Sequence, residues 1–181
     1  MRQDLFEHII EAPKGVTFKL DGSLIEVQGP KGINKRDLRF PHVSLKLESN
    51  ILTIIGKKIT RKHKKVINTF KSHIINLIKG VTDGYEYQLK VCSSHFPMSV
   101  SVKDNQVIVK NYLGGKIPII SKIRSNVNVK INGDLIFVTG IDKESVGQTA
   151  ANIEKSTIAR KKDRRKFQDG CYIINKAGIP I

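Results

Sequence analysis

VSLKLESNILTIIG occupies residues 43–56, and VNVKINGDLIFVTG occupies residues 127–140. The two stretches stand 84 positions apart. Each opens on Val (Val43, Val127), carries Lys in fourth place (Lys46, Lys130) and ends on Gly (Gly56, Gly140). Each also breaks at a polar step, Glu48-Ser49-Asn50 in one and Asn132-Gly133-Asp134 in the other. An offset this long exceeds the roughly 20–50 residues of solenoid and propeller repeats. It is the mark of a duplicated domain, so the 181 residues divide into two copies of one small fold.

Outward from these stretches the copies stay in step. Val16 to Leu20, the turn Asp21-Gly22 and Leu24 to Val27 form a hairpin signature. Ser99 to Val102, Asp104-Asn105 and Val107 to Val109 repeat it. A glycine loop follows in each, Gly29-Pro30-Lys31-Gly32 and Tyr112-Leu113-Gly114-Gly115-Lys116. The continuous apolar run Ile51 to Ile55 predicts a strand buried on both faces.

After each repeat stretch the period changes. Val66, Ile67, Phe70, Ile74, Leu77 and Ile78 recur at helical spacing over residues 65–79, with Gly80 placed as a C-terminal cap. Val146, Ala150 and Ile153 mark a second, narrower helix with Asp142 or Ser145 as N-cap. Each copy then closes on Asp-Gly and a short strand, at Asp83-Gly84-Tyr85 and Asp169-Gly170-Cys171. The expected fold is α+β: two similar domains from internal duplication, each a mainly antiparallel sheet with one packed helix. The expected domains are residues 1–94 and 95–181, with the boundary near Ser93 to Pro97.

Charge narrows the function. Lys and Arg number 32 against 16 Asp and Glu, a formal net charge of +16. Such an excess points to a polyanionic partner, nucleic acid first. No signal peptide, membrane span or basic amphipathic helix with a broad apolar face stands out, so no membrane partner is expected. Cys92 and Cys171 form no CxxC pair and read as reduced core thiols.

The cations are clustered. Residues 57–82 hold eight Lys or Arg and no acid, and the densest part, KKITRKHKK, reads as a loop entering the first helix. RKKDRRK at residues 160–166 contains one acid, Asp163, and lies in the loop after the second helix. One such run would read equally well as a solvated face. Two on this background favour phosphate binding. Aromatic residues make up 6% of the chain, too few for a generic base-stacking platform. No DNA-reading motif is visible, so structured RNA is the better match.

The candidate RNA contacts in the first domain are Lys57, Lys58, Arg61, Lys62, Lys64 and Lys65. In the second they are Tyr112, Gly114, Gly115, Lys116, Arg160, Lys161, Lys162, Arg164, Arg165 and Lys166. No P-loop, GxSxG or HExxH motif is present, and the five histidines (8, 42, 63, 73, 95) show no ligand spacing. No enzymatic activity, cofactor, metal or small-molecule substrate is therefore expected.

KDRRKFQDGCY at residues 162–172 resembles the C-terminal signature of a universal large-subunit ribosomal protein family, numbered six in bacteria and nine in the eukaryotic count. VQGPKG at 27–32, SHIINLIKGVTDGYEY at 72–87, HFP at 95–97 and NYLGGK at 111–116 match the archaeal and eukaryotic branch of that family in order. The resemblance covers nearly the whole chain. It implies two similar α+β domains and a structural constituent of the large ribosomal subunit in the cytoplasm. It also implies contact with rRNA near the stalk base and the sarcin–ricin region, beside stalk-base proteins and the docking site of translational GTPases. From the signature, Lys162, Arg165 and Lys166 carry over as basic contacts. Phe167, Asp169, Gly170 and Tyr172 carry over as the packing and turn that hold the loop. Cys171 stands where an aliphatic residue is usual. The competing readings are a free-standing chromatin or RNA architectural protein and an enzyme acting on RNA. A narrower one has the second basic run alone in contact with RNA.

Overall fold

The computed structural model describes residues 3–160, 162, 163 and 165–181, and the side chains of these except at residues 3–5 and 57–59. The chain folds as two compact units, Met1–Gly84 and Tyr85–Ile181. The first contains β1 (Gln3–Glu11), β2 (Thr17–Asp21), β3 (Leu24–Gly29), β4 (Gly32–Asp37), β5 (Val43–Glu48), β6 (Ile51–Ile59) and α1 (Arg61–Thr82). Its sheets run β1-β6-β5 and β2-β3-β4, antiparallel throughout. The helix α1 packs against strands of both. It does so because Ile67, Phe70, Ile74, Leu77, Gly80 and Val81 form one buried stripe at helical spacing. Opposite them the sheets bury Ile25, Val27, Leu52 and Ile54 completely. Each such side chain contributes about 1.5–3 kcal/mol relative to exposure.

The second unit contains β7 (Tyr85–Cys92), β8 (Ser99–Lys103), β9 (Gln106–Lys110), β10 (Ile119–Lys122), β11 (Val127–Asn132), β12 (Leu135–Gly140), α2 (Lys143–Ser156), β13 (Gly170–Lys176) and β14 (Ile179–Pro180). Its sheets run β11-β12-β7-β13-β14 and β10-β9-β8. Val146, Ala150 and Ile153 of α2 join Tyr85, Leu89, Val109, Ile136 and Val138 in one core. Asp142 is the N-cap, accepting from the backbone N–H of Glu144 at 3.2 Å and of Ser145 at 3.0 Å.

The duplicated stretches superpose in register. β5 pairs with β6 from Val43 opposite Gly56 to Glu48 opposite Ile51, and β11 pairs with β12 from Val127 opposite Gly140 to Asn132 opposite Leu135. The α+β architecture with internal duplication is thus the one the sequence predicts. Gly140 has a packing reason. A Cβ there would lie 2.8 Å from Val146 Cγ2 and 2.9 Å from the Asn126 carbonyl, so glycine lets the helix start close to the sheet.

The phase of the repeat differs from the expectation. The strand at Tyr85 does not close the first copy; as β7 it pairs with β12 and β13 inside the second unit. Its counterpart in the first unit is β1, which pairs with β6 and lies ahead of the hairpin at Val16. The first unit therefore ends at Gly84 rather than at residue 94. The first unit opens on β1 and has no closing strand, whereas the second opens on β7 and does close on the expected strand after Asp169-Gly170, β13, with β14 added. A short apolar strand after a helix looks the same in sequence whichever sheet it joins, so only pairing sets the phase.

Three local expectations also change. Gly80 is buried within α1, and the left-handed residue that ends the helix is Gly84 (φ 74°), whose N–H bonds to the Lys79 carbonyl at 3.1 Å. KKITRKHKK is not a loop: β6 runs to Ile59, α1 starts at Arg61, and Thr60 alone separates them. β6 is buried on both faces only in part, since Leu52, Ile54 and Ile55 are covered while Ile51 is 37% exposed.

Candidate nucleic-acid interface

The first basic run lies at the β6–α1 junction. Arg61, Lys62, Lys64 and Lys65 are exposed in the opening turns of α1, whose first turn contains no acid. Cations there oppose the positive end of the helix dipole and disfavour the helix. Local compensation is modest. The Thr60 N–H donates to His63 Nδ1 at 3.2 Å, and Lys64 Nζ lies 4.8 Å from the Phe6 ring centroid. The side chains of Lys57 and Lys58 lie outside the described residues.

The glycine loop of VQGPKG is a two-residue hairpin turn between β3 and β4. A Cβ on Gly29 would lie 2.6 Å from Val81 Cγ2 and 2.9 Å from the Val81 carbonyl. The Lys31 N–H bonds to that same carbonyl at 3.0 Å. This glycine thus admits the end of α1.

The second basic run is the connection from α2 to β13. Two buried polar residues hold its ends. Thr157, 1% exposed, holds the start: its carbonyl accepts the Tyr112 hydroxyl at 2.7 Å and its Oγ1 accepts the Cys171 N–H at 2.9 Å. Asp169, also 1% exposed, holds the end. It accepts the Ser94 N–H at 2.6 Å, the His95 N–H at 3.0 Å and His95 Nδ1 at 2.7 Å. An ionised carboxylate only accepts, so His95 carries its proton on Nδ1. Burial pushes the Asp169 carboxyl upward, but the hydrogen bonds from the His95 backbone, the His95 ring and Ser94 outweigh it and hold it below the usual range.

Between these anchors the loop is braced from within. The His95 and Phe167 rings stack with centroids 4.8 Å apart, and Lys162 Nζ lies 4.3 Å from the Phe167 centroid. Asp163 organises the turn: its carboxylate accepts the Arg165 N–H at 3.0 Å, Arg165 Nε at 3.2 Å and the Arg165 guanidinium at 3.0 Å. Its carbonyl takes the N–H groups of Lys166 and Phe167. The Arg165 partnership lowers the Asp163 carboxyl, and the Asp163 partnership raises the guanidinium. Arg160, Lys162, Arg165 and Lys166 stay exposed. The result is a group of exposed cations, Lys162 braced on Phe167 and Arg165 on Asp163, suited to several phosphates at once. Lys161 and Arg164 lie outside the described residues.

Tyr112, an expected RNA contact, also has a structural partner. It is half-buried against the second core, its hydroxyl donates to Thr157, and burial raises its pKa. It supports the loop from beneath. Gly114 (φ 74°) lies under Phe96, whose ring would meet an added Cβ at 3.4 Å. The Gly115 N–H closes the turn on the Tyr112 carbonyl at 2.9 Å, and Lys116 is exposed. Cys171 is a buried thiol pushed up to about 11 by desolvation, in line with a core role. Sequence reasoning passed over Thr157 and gave His95 no role beyond the family match HFP. No local pattern distinguishes either, because their anchoring partners lie 14 to 74 residues away.

The described geometry is matched by kinship. The family model for ribosomal protein L6 matches residues 12–84 and again residues 96–170, one match in each copy. The chain is 42% identical over 174 residues to large ribosomal subunit protein uL6 of Methanococcus vannielii, covering 96% of both chains. It is 41% identical over 167 residues to the protein of that name from Methanothrix thermoacetophila, covering 92% of this chain and 95% of the relative. With that of Archaeoglobus fulgidus it shares 41% over 175 residues, 94% of this chain and 89% of the relative. Matched in both copies and along nearly its whole length, this chain belongs to the ribosomal protein L6 family, in its archaeal branch.

Proposed function

We propose that this protein is a structural, non-enzymatic constituent of the large ribosomal subunit, working in the cytoplasmic ribosome, and that it grips large-subunit rRNA chiefly through residues 160–168. The observation that carries this reading is the double anchoring of that loop. Asp169 and Thr157 fix its ends, leaving Arg160, Lys162, Arg165 and Lys166 exposed with Asp163 as the only acid. A pre-formed cation cluster loses little entropy on binding, which favours a rigid scaffold over a folding tail.

The opening turns of α1 form the second proposed contact, with Lys57 and Lys58 beside it. The cluster Arg61, Lys62, Lys64 and Lys65 is unfavourable at a helix N-terminus in isolation, and phosphates would offset it. Lys116, carried on the Gly114-Gly115 turn, and the flanking Lys161 and Arg164 complete the set. The family resemblance supports a position near the stalk base and the sarcin–ricin region. Stalk-base proteins would be its neighbours there, and translational GTPases would dock nearby.

Sucrose-gradient sedimentation tests this reading. The protein should travel with large subunits, and a Lys162→Glu/Lys166→Glu variant should shift to the top of the gradient. A wild-type protein that stays at the top in cell extract would support a free-standing architectural role instead. Charge reversal at Lys62, Lys64 and Lys65 with no loss of incorporation would confine the contact to the second unit.

A further inference from the structure

At the foot of the basic loop lies a cavity of about 720 Å³ lined by Cys92, Ser94, Arg165, Gln168 and Tyr172. Phosphate binding has no use for it. Its volume falls within the roughly 300–1,000 Å³ of small-ligand sites. Its walls combine a half-buried aromatic ring (Tyr172), an amide with donor and acceptor (Gln168), a hydroxyl (Ser94) and a guanidinium (Arg165), with no carboxylate among the described lining residues. That set suits a flat aromatic ligand with a polar edge and an attached anion.

The geometry also fixes where the anion would sit. Arg165 belongs both to the cavity wall and to the cation cluster. Its Nε and one terminal nitrogen bond to Asp163. A guanidinium has five N–H donors, so others remain for a phosphate. Gln168 holds the Arg165 carbonyl only through a 3.4 Å bond, one its amide can exchange for a ligand. Gly170 explains why the ring is close: a Cβ there would lie 3.3 Å from the Tyr172 ring.

We infer that this cavity receives one unstacked nucleobase of the RNA held by the loop. Tyr172 stacks on the base, Gln168 and Ser94 read its edge, and Arg165 holds its phosphate. Single-stranded RNA is recognised this way, by splayed bases on aromatic or guanidinium planes. The inference rests on the proposed rRNA-binding reading and adds base recognition to what would otherwise be phosphate contact alone.

The test is nucleotide-resolution chemical probing of base edges in purified large-subunit rRNA bound to the full chain, with affinities measured alongside. Wild-type protein should protect the edge of one unpaired nucleotide. Gln168→Ala, an exposed position safe for folding, and Tyr172→Leu, which keeps apolar bulk, should restore its reactivity. Tyr172→Leu should weaken binding by about tenfold. Lys162→Ala and Lys166→Ala should weaken binding while keeping that protection in the bound RNA. Wild-type affinity and footprint in both cavity variants, with affinity lost in the lysine variants, would sink the base pocket and leave the loop reading standing. Wild-type behaviour in all four would overturn both. Retention of free mononucleotides in equilibrium dialysis, abolished by Tyr172→Leu without any change in the RNA footprint, would also reject the RNA base as occupant.

Discussion

Asp169 and His95 are joined at 2.7 Å across 74 residues of chain. Through this contact the strand that receives the basic loop is tied to the segment that follows β7, and the His95 ring is placed to stack on Phe167. A carboxylate that sequence alone marks as part of an Asp-Gly turn thus becomes the lower anchor of the candidate RNA-binding surface.

Replacing Asp169 by Ala removes the acceptor for three donors. Hydrogen bonds to a charged group contribute about 1.5–3 kcal/mol each, less where water can substitute, as it can beside exposed Ser94 and His95. A net loss of about 1.5–3 kcal/mol in unfolding free energy is expected from urea denaturation. RNA affinity should fall as well, although residue 169 itself is buried.

Acid should reproduce part of that loss. The folded Asp169 carboxyl lies below its unfolded value, because the hydrogen bonds from His95 and Ser94 outweigh the opposing effect of burial. Its contribution is therefore complete above the unfolded value of about 3.9 and is lost as pH falls through the lower folded value. The stability gap between wild type and Asp169→Asn should be full near neutrality and should narrow below about pH 4. A gap that stays constant down to pH 2 would show that ionisation of Asp169 contributes nothing.

Salt reports the phosphate contacts. RNA affinity should fall steeply with ionic strength, and each contact removed should flatten the log–log slope by roughly 0.7–0.9. Lys162→Ala and Lys166→Ala should each produce about one such step. Tyr112→Phe should leave the slope unchanged and lower stability instead, since its hydroxyl serves Thr157.

Gly29→Ala examines the other end of the chain. The added methyl would meet both the Val81 side chain and the Val81 carbonyl inside 3 Å. Overpacking of this kind costs about 1–3 kcal/mol. Thermal denaturation should show the loss. Gly22→Ala offers a contrast: nothing lies within 4 Å of its added methyl, and only its φ of +61° opposes the change.

Much of the architecture was legible because it is local. The apolar spacing of α1 and α2, the hairpin turns and the matching stretches at 43–56 and 127–140 follow from side chains near one another in sequence. The basic runs were equally plain, since charge density needs no partner to be seen. The phase of the repeat was not legible. Tyr85 to Leu89 has the same alternation whether it joins the first sheet or the second, and the choice rests on pairing with β12 and β13.

The candidate interface divides along the same line. Sequence alone determined that this protein is a duplicated α+β chain with a large excess of cations in two runs, because composition and periodicity are properties of the chain itself. Tertiary structure decided which cations stand on a braced loop, and that Tyr112 supports that loop from beneath. It also decided that Thr157 and Asp169 anchor the loop ends and that a cavity opens between Arg165 and Tyr172. Those outcomes depend on contacts between residues far apart in the chain, which become neighbours only when burying the core brings their strands and loops together.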